Sequence, residues 1–427
     1  MLRIRSAHRT KGAKKLFADQ GLRVKPRGMP VHAHGKPCVD VRVYALRQQQ
    51  LAARQRRVGG VKWVFAAGGA ALATMWLIFT WSRGLAAGPW HQPVVSRDAL
   101  TAHKDGAYLP LASPAGSGRG GGPKCSESSM FQWAKEQGAV GNVDLHHFEE
   151  GRGLRVRQDF AVGDTVLSVP WEMLITVEHL INSSHPVGAL AKQLGRRIPQ
   201  MDYLALFLLY ESQNPMSHWQ PWLCMLPKAY SVPIFWSEAE MRSAKASQLL
   251  REQTHALKQK LHKKFHDLIL PLVAQGYARS APAQRGGGGA EGNARAPLFS
   301  DGVLVYERYL SAIAAVRSRC FAIPWNGRKL KTLVPVVDMI NHKQHTRSAM
   351  VFDRIPPGHA RRAGSGYFFG LVAGQNYTRG QEVHISYAKS CNERLLLVYG
   401  FDLGAANDKR DCHPVLQSVI DDLDDEE

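Results

Sequence analysis

The residues best suited to chemistry lie in two stretches far apart in the chain. Residues 333–342, LVPVVDMINH, form an apolar run that stops abruptly at Asp338, Asn341 and His342. Residues 381–401, QEVHISYAKSCNERLLLVYGF, alternate as a strand as far as Tyr387, pass a polar turn, and close as a helix on Tyr399, Gly400 and Phe401. An amide, an imidazole and a phenol can bind and align a reacting group through hydrogen bonds. Two further elements stand out by residue type. Glu150, Gly151, Arg152 and Gly153 open the run EGRGL, and Arg319 in VRSRCF offers a fixed positive charge. Each is weak by itself. Asn-His after an apolar strand is most often a capped turn, and a strand-end tyrosine is usually packing. Their order and company in one chain point to a shared site.

Other chemistries find little support. The six cysteines, at 38, 125, 224, 320, 391 and 412, make no CxxC pair and no zinc-type Cys/His spacing. Free thiols and no bound metal are expected. EGRGL lacks the third glycine and the following helix of a dinucleotide fingerprint. The glycines at 116–122 have no Lys-Ser/Thr after them and read as linker. Strands at both ends of the region with helices between them give no repeating βαβ unit, which weighs against a doubly wound sheet.

The elements that must position the site can be read coarsely. The net charge of +20 is concentrated at the start, where residues 1–62 carry 16 Lys+Arg against two acids. That pattern suits a targeting or cytosolic basic arm, with no nucleic-acid partner expected. Residues 63–82 are free of charge, bracketed by Lys62 and Arg83, with Trp63 and Trp81 near the ends. At 1.5 Å per residue they reach about 30 Å, enough to span a bilayer core. A single transmembrane helix is expected, with the N-terminus on the cytosolic or matrix side. A mitochondrial inner membrane and a secretory-pathway membrane both fit. Residues 83–127 read as a flexible linker.

Order returns near Met130 with a helix, then a hairpin turning at Gly163-Asp164. Residues 186–279 are mainly helical, and a Ser237/Glu240 capping box opens a Lys-rich helix reaching about Leu270. A low-complexity loop covers 280–297, and one more helix runs over 306–320. LVPVV, SAMVF, GYFFGLVA and EVHIS read as short strands, and a short helix follows. The fold class is α+β: residues 128–405 as one domain with a helical insert at about 186–310, and an acidic tail over 406–427.

EGRGL, HWQPWLCMLP, IFWSEAEM, VRSRCF, LVPVVDMINH and GQEVHISYAKSCNERLLLVYGF, in this order, resemble the SET-domain protein methyltransferases of the Rubisco-lysine and actin-histidine type. The resemblance covers about residues 130–403. It implies a β-fold of short sheets with a knot-like crossing that brings Asn341-His342 beside Tyr387. It implies S-adenosylmethionine as cofactor and in-line methyl transfer to an amine or imidazole of a protein substrate. Tyr387 is then the catalytic residue. Glu150, Gly151, Arg152, Gly153, Arg319, Asp338, Asn341, His342, Tyr399, Gly400 and Phe401 are the cofactor-binding set, with Asp338 fixing the turn. Apolar Phe321 and Val337 as pocket walls favour lysine over histidine. The chain departs from the family at Ala388, where glycine is usual after the tyrosine, and at Trp222, where Tyr is usual. The family's C-terminal substrate-binding domain is expected to be missing. The expected protein is therefore a membrane-anchored, monomeric lysine methyltransferase. The alternatives are a histidine methyltransferase and a non-catalytic scaffold on the same fold.

Overall fold

The computed structural model describes residues 39–40, 125–149, 151–244, 246–280, 297–354, 366–387 and 390–404. The segment 63–82, most of the basic arm, the linker as far as 124 and the acidic tail lie outside them. Among the described residues no helix is long and apolar enough to cross a membrane.

The chain opens with β1 (Val39–Asp40), then α1 (Glu127–Glu136), capped by Ser126, whose hydroxyl accepts from the Ser129 N–H. β2 (Val140–Gly141), β3 (Val143–Phe148), β4 (Gly151–Val156), β5 (Thr165–Pro170) and β6 (Ile175–Thr176) follow. β3 and β4 pair as an antiparallel hairpin. The Gly163-Asp164 turn is present, with Gly163 at φ +95°, but it leads from one sheet to another. β5 pairs with β2 and with a later strand, so the hairpin closes between Phe148 and Gly151, not at the Gly163-Asp164 turn.

The helical region comprises α2 (Val177–Asn182), α3 (Pro186–Leu194), α4 (Gln200–Ser212), α5 (Gln220–Leu223), α6 (Glu238–Ser243), α7 (Gln248–Lys264), a π-turn (Phe265–Ile269) and α8 (Leu270–Ser280). The Ser237/Glu240 capping box forms, but it caps only α6. The long Lys-rich helix starts afresh at Ser247, whose hydroxyl accepts from the Leu250 N–H. α4 is apolar almost all round, as a helix buried on every side must be. It packs against α9 (Tyr306–Arg319).

β7 (Phe321–Trp325) and β8 (Arg328–Leu333) form a hairpin. LVPVV is not a strand: β8 stops at Leu333, and a single 3-10 turn covers Val337–Met339. Then come β9 (Asn341–His342), β10 (Ala349–Arg354), β11 (Tyr367–Val372), β12 (His384–Ile385) and α10 (Asn392–Tyr399). The sheets run β1-β7-β8-β6, β10-β11-β5-β2, β12-β9 and β3-β4. Trp171 after β5 stacks on Trp325 of β7 with centroids 4.2 Å apart, tying the two larger sheets together.

Cys320 and Cys391 are each disulfide-bonded, whereas Cys125 and Cys224 are free. The expectation of free thiols is corrected for the first pair. Sequence spacing carries no information about which thiols a fold of non-local contacts brings together.

Candidate active site

The site begins with how the chain turns out of β8. Val336 is β-branched yet sits at φ +73°, a conformation that disfavours such side chains. It is sealed in the core, and the next turn closes over it through Asp338 N–H to Val334 O at 3.0 Å. This kink aims Asp338 inward and sends Asn341 and His342 out as β9.

The end of the chain then crosses. Residues 380–383 lie antiparallel to β4, with Val156 N–H donating to Gln381 O (3.0 Å) and Val383 N–H to Leu154 O (2.8 Å). One step later β12 pairs in parallel with β9, His384 against Asn341 and Ile385 against His342. Tyr387 is thereby fixed at both ends. Its backbone N–H donates to His342 Nδ1 at 3.0 Å, and its hydroxyl donates to Ile340 O at 2.7 Å. Asn341-His342 and Tyr387, 45 residues apart from His342 onward, meet as the resemblance implied.

The electrostatics follow from burial. Asp338 accepts from Trp222 Nε1 at 3.1 Å and lies 3.4 Å from Arg319 Nη1, which also donates to the Asp338 carbonyl at 2.9 Å. Burial pushes the Asp338 carboxyl up, and Arg319 and Trp222 pull it back. Asp338 thus orients Arg319, as a structural acceptor would. Trp222 is more than a packing substitute, since its N–H serves that carboxylate. Burial opposes the charge on Arg319, but Asp338 and nearby phenols outweigh it and raise its pKa. Arg152 donates to Met225 O at 2.6 Å, and burial, then Arg319, lower its pKa. Arg319 pairs with the buried Asp338 carboxylate, and Arg152 feels that carboxylate and Glu127 only through charge.

Tyr387 is held protonated, because burial raises its pKa well above that of a free phenol. His342 is held neutral, pushed down to about 4 by burial and then by His384. Its Nδ1 accepts from a backbone N–H, so its proton sits on Nε2. That Nε2, Arg319 Nε and the Tyr230 hydroxyl are buried without a hydrogen-bond partner among the described residues. An unmet buried polar group carries a penalty of about 1–3 kcal/mol, so several in one place mark where a ligand would complete the network. Burial lifts the Tyr230 phenol to about 12, with Arg319 beside it opposing the shift.

The remaining expected residues are placed as follows. Glu150 lies outside the described residues. Gly151, at φ +125°, faces open space. A Cβ on Gly153 would fall 2.1 Å from Glu382 Oε1 and 2.8 Å from Asn341 Nδ2, so the neighbours that crowd it are protein side chains. Tyr399, Phe401, His342 and Tyr387 form an aromatic cluster, with centroids 4.8 Å apart for Tyr387–Tyr399 and 5.7 Å for His342–Phe401. Gly400 is left-handed at the end of α10, and Ser231 approaches too closely for any side chain there. Phe321 and Val337 are buried in the core, Phe321 against Phe369 at 5.0 Å. Among the described residues no cluster of three or more His, Cys, Asp or Glu could hold a metal ion.

Sequence reading missed Tyr230, Glu382 and the Met225 carbonyl. Glu382 had no readable signal: only the structure, with side-chain exposures of 12% for Glu382 and 16% for His384, shows that this polar face is covered. Tyr230 and the Met225 carbonyl had none either, since both sit in irregular chain.

The chain is 28% identical over 281 residues to the actin-histidine N-methyltransferases of Papio anubis and Homo sapiens. The match takes in 64% of this chain but 41% of each relative, so the chain spans about two fifths of the length of the curated relatives it matches. No family model matches it. Among solved structures it resembles the SET domain of LSMT bound to lysine and AdoHcy, with a TM-score of 0.51 and 25% identity over 65% of this chain and 57% of that one. The fold is of the SET methyltransferase type. The short sheets, the β9–β12 crossing and the interposed helices are thus features of a known architecture, whereas the expected transmembrane span at 63–82 lies outside the described residues.

Proposed function

We propose that this chain is an S-adenosylmethionine-dependent protein methyltransferase. The observation that carries the reading is the β9–β12 crossing, which joins Asn341 and His342 to Tyr387 beside three unpartnered buried polar groups. When bound, S-adenosylmethionine supplies a sulfonium-activated methyl group. The residues fit such a molecule: Arg319 and the Tyr230 hydroxyl suit a carboxylate, and His342, Tyr399 and Phe401 offer a polar and aromatic wall for a base.

The protein's own task is alignment and exclusion of water, without acid chemistry. Tyr387 does not act as a general base, since its proton is retained and directed at Ile340 O. Its oxygen keeps lone pairs free to accept a hydrogen bond from an uncharged nucleophilic nitrogen. That contact orients the nitrogen and favours its neutral form.

Lysine is the proposed target, on the apolar character of Phe321 and Val337. Histidine is the second reading, favoured by the named activity of the 28%-identical relatives. We also propose membrane attachment through residues 63–82, supported by their uncharged run and flanking tryptophans. Protease protection of a tagged chain tests it: cleavage of residues 128–427 with equal ease on both sides would remove the idea.

The test of function is transfer of radiolabelled methyl from the cofactor to a cellular protein extract, then hydrolysis and identification of the methylated amino acid. Tyr387→Phe should lower the rate by roughly 100-fold or more while the chain still binds cofactor. Binding without turnover in the wild type would leave only the scaffold reading. Absence of binding by folded protein would remove both.

A further inference from the structure

Glu382 has no part in the site as the sequence presented it, yet it touches the centre. Asn341 Nδ2 donates to Glu382 Oε1 at 2.9 Å and to Arg152 O at 3.1 Å. Both partners are acceptors only, so the amide nitrogen must face them. The choice of amide orientation is therefore forced by chemistry. With both N–H groups engaged, Asn341 Oδ1 points away from them and accepts no hydrogen bond from the described residues. Glu382 is itself held from the other side, where His384 Nε2 lies 3.2 Å from its Oε2. Gly153 gives it room, because any side chain there would collide with the carboxylate.

We propose that Glu382 is a positioning residue that locks the Asn341 amide so that Oδ1 serves as an acceptor for the ammonium group of the bound cofactor. This rests on the cofactor reading above. Three structural features support it independently of that reading: the paired acceptors on Nδ2, the His384 brace and the glycine clearance. If Glu382 were absent, Arg152 O alone would hold the amide. One N–H would be free, the carbonyl and amino ends could exchange, and a donor would then face the ammonium for part of the time.

The test compares two ligands on the full chain by calorimetric titration: S-adenosylhomocysteine, which carries the amino-acid group, and 5′-methylthioadenosine, which lacks it. Glu382→Ala should weaken S-adenosylhomocysteine about tenfold, as expected for loss of a well-directed hydrogen bond to a charged group. Binding of 5′-methylthioadenosine should be unchanged. Glu382→Gln keeps an acceptor for Asn341 Nδ2 and should restore most of the affinity. In an Asn341→Ala background the Glu382→Ala effect should vanish, because the residue acts through the amide. Equal weakening of both ligands by Glu382→Ala would assign it a general structural role and overturn the proposal. So would unchanged binding of both. If the folded wild type binds neither ligand, the cofactor reading itself fails, a result distinct from either.

Discussion

Two regions of this domain bury polar groups at similar depth and treat them differently. In the helical region Asp202 is sealed, and both its oxygens are met, by Lys264 Nζ at 2.8 Å and by the Tyr309 hydroxyl at 2.6 Å. Nearby Glu211 accepts from His185 Nε2 at 2.8 Å and from the Ser217 hydroxyl. These clusters tie α3, α4, α7 and α9 together. At the crossing, by contrast, His342 Nε2, Arg319 Nε and the Tyr230 hydroxyl have no partner among the described residues. Single neutral atoms of Gln253 and Thr254 in α7 are also unmet among the described residues. A satisfied cluster stabilises the fold by itself, whereas an unsatisfied one is complete only with something else bound.

The largest effect should come from breaking a satisfied cluster. Lys264→Met leaves Asp202 buried beside one phenol, and stability should fall by about 3–5 kcal/mol in urea unfolding. Cofactor affinity of the folded protein should not change.

The sharpest contrast is between two buried tyrosines. Tyr309→Phe removes a made hydrogen bond and should destabilise by about 1–3 kcal/mol without affecting cofactor binding. Tyr230→Phe removes a hydroxyl with no well-formed hydrogen bond among the described residues, only an interaction with Arg319 beside it, so stability should change little, while cofactor binding weakens about tenfold. Equal destabilisation by the two would erase the distinction between the regions.

The smallest effect is in pH. His342 is depressed from 6.5 to about 4, so the unfolded chain binds more protons between those values. Its contribution is fully present above about pH 6.5 and is lost as pH falls toward 4. With allowance for residual solvent screening, it amounts to about 1–2 kcal/mol. His342→Gln should flatten that part of the profile. Burial raises the Glu211 carboxyl, but its bonds from His185 and Ser217 outweigh that and leave it lowered. Its stabilisation is therefore lost only as pH falls below its ordinary value of 4.5. Urea titrations between pH 3 and 8 separate the two windows.

The sequence was most informative where the site depends on residue type and order. Asn341, His342, Tyr387 and Arg319 could be named because one fold gives those types, in that order, a meeting place. Helix caps at Ser237 and Gly400 were legible because their signals are local. What was not legible depends on contacts far along the chain. The positive φ of Val336 has no glycine to announce it. Glu382 belongs to an alternating run, and nothing in that run tells that its side chain is covered. The extent of β12 is set by its pairing with β9, so a long alternating run yields only two strand residues. The disulfide-bonded state of Cys320 and Cys391 likewise belongs to tertiary structure.

The most direct measurement is calorimetric titration of S-adenosylmethionine into the full chain, with thermal unfolding run alongside. The expected result is saturable one-to-one binding that raises the unfolding temperature and is weakened about tenfold by Tyr230→Phe but not by Tyr309→Phe. A folded wild-type chain that gives no heat of binding and no thermal shift would contradict a cofactor site at the crossing.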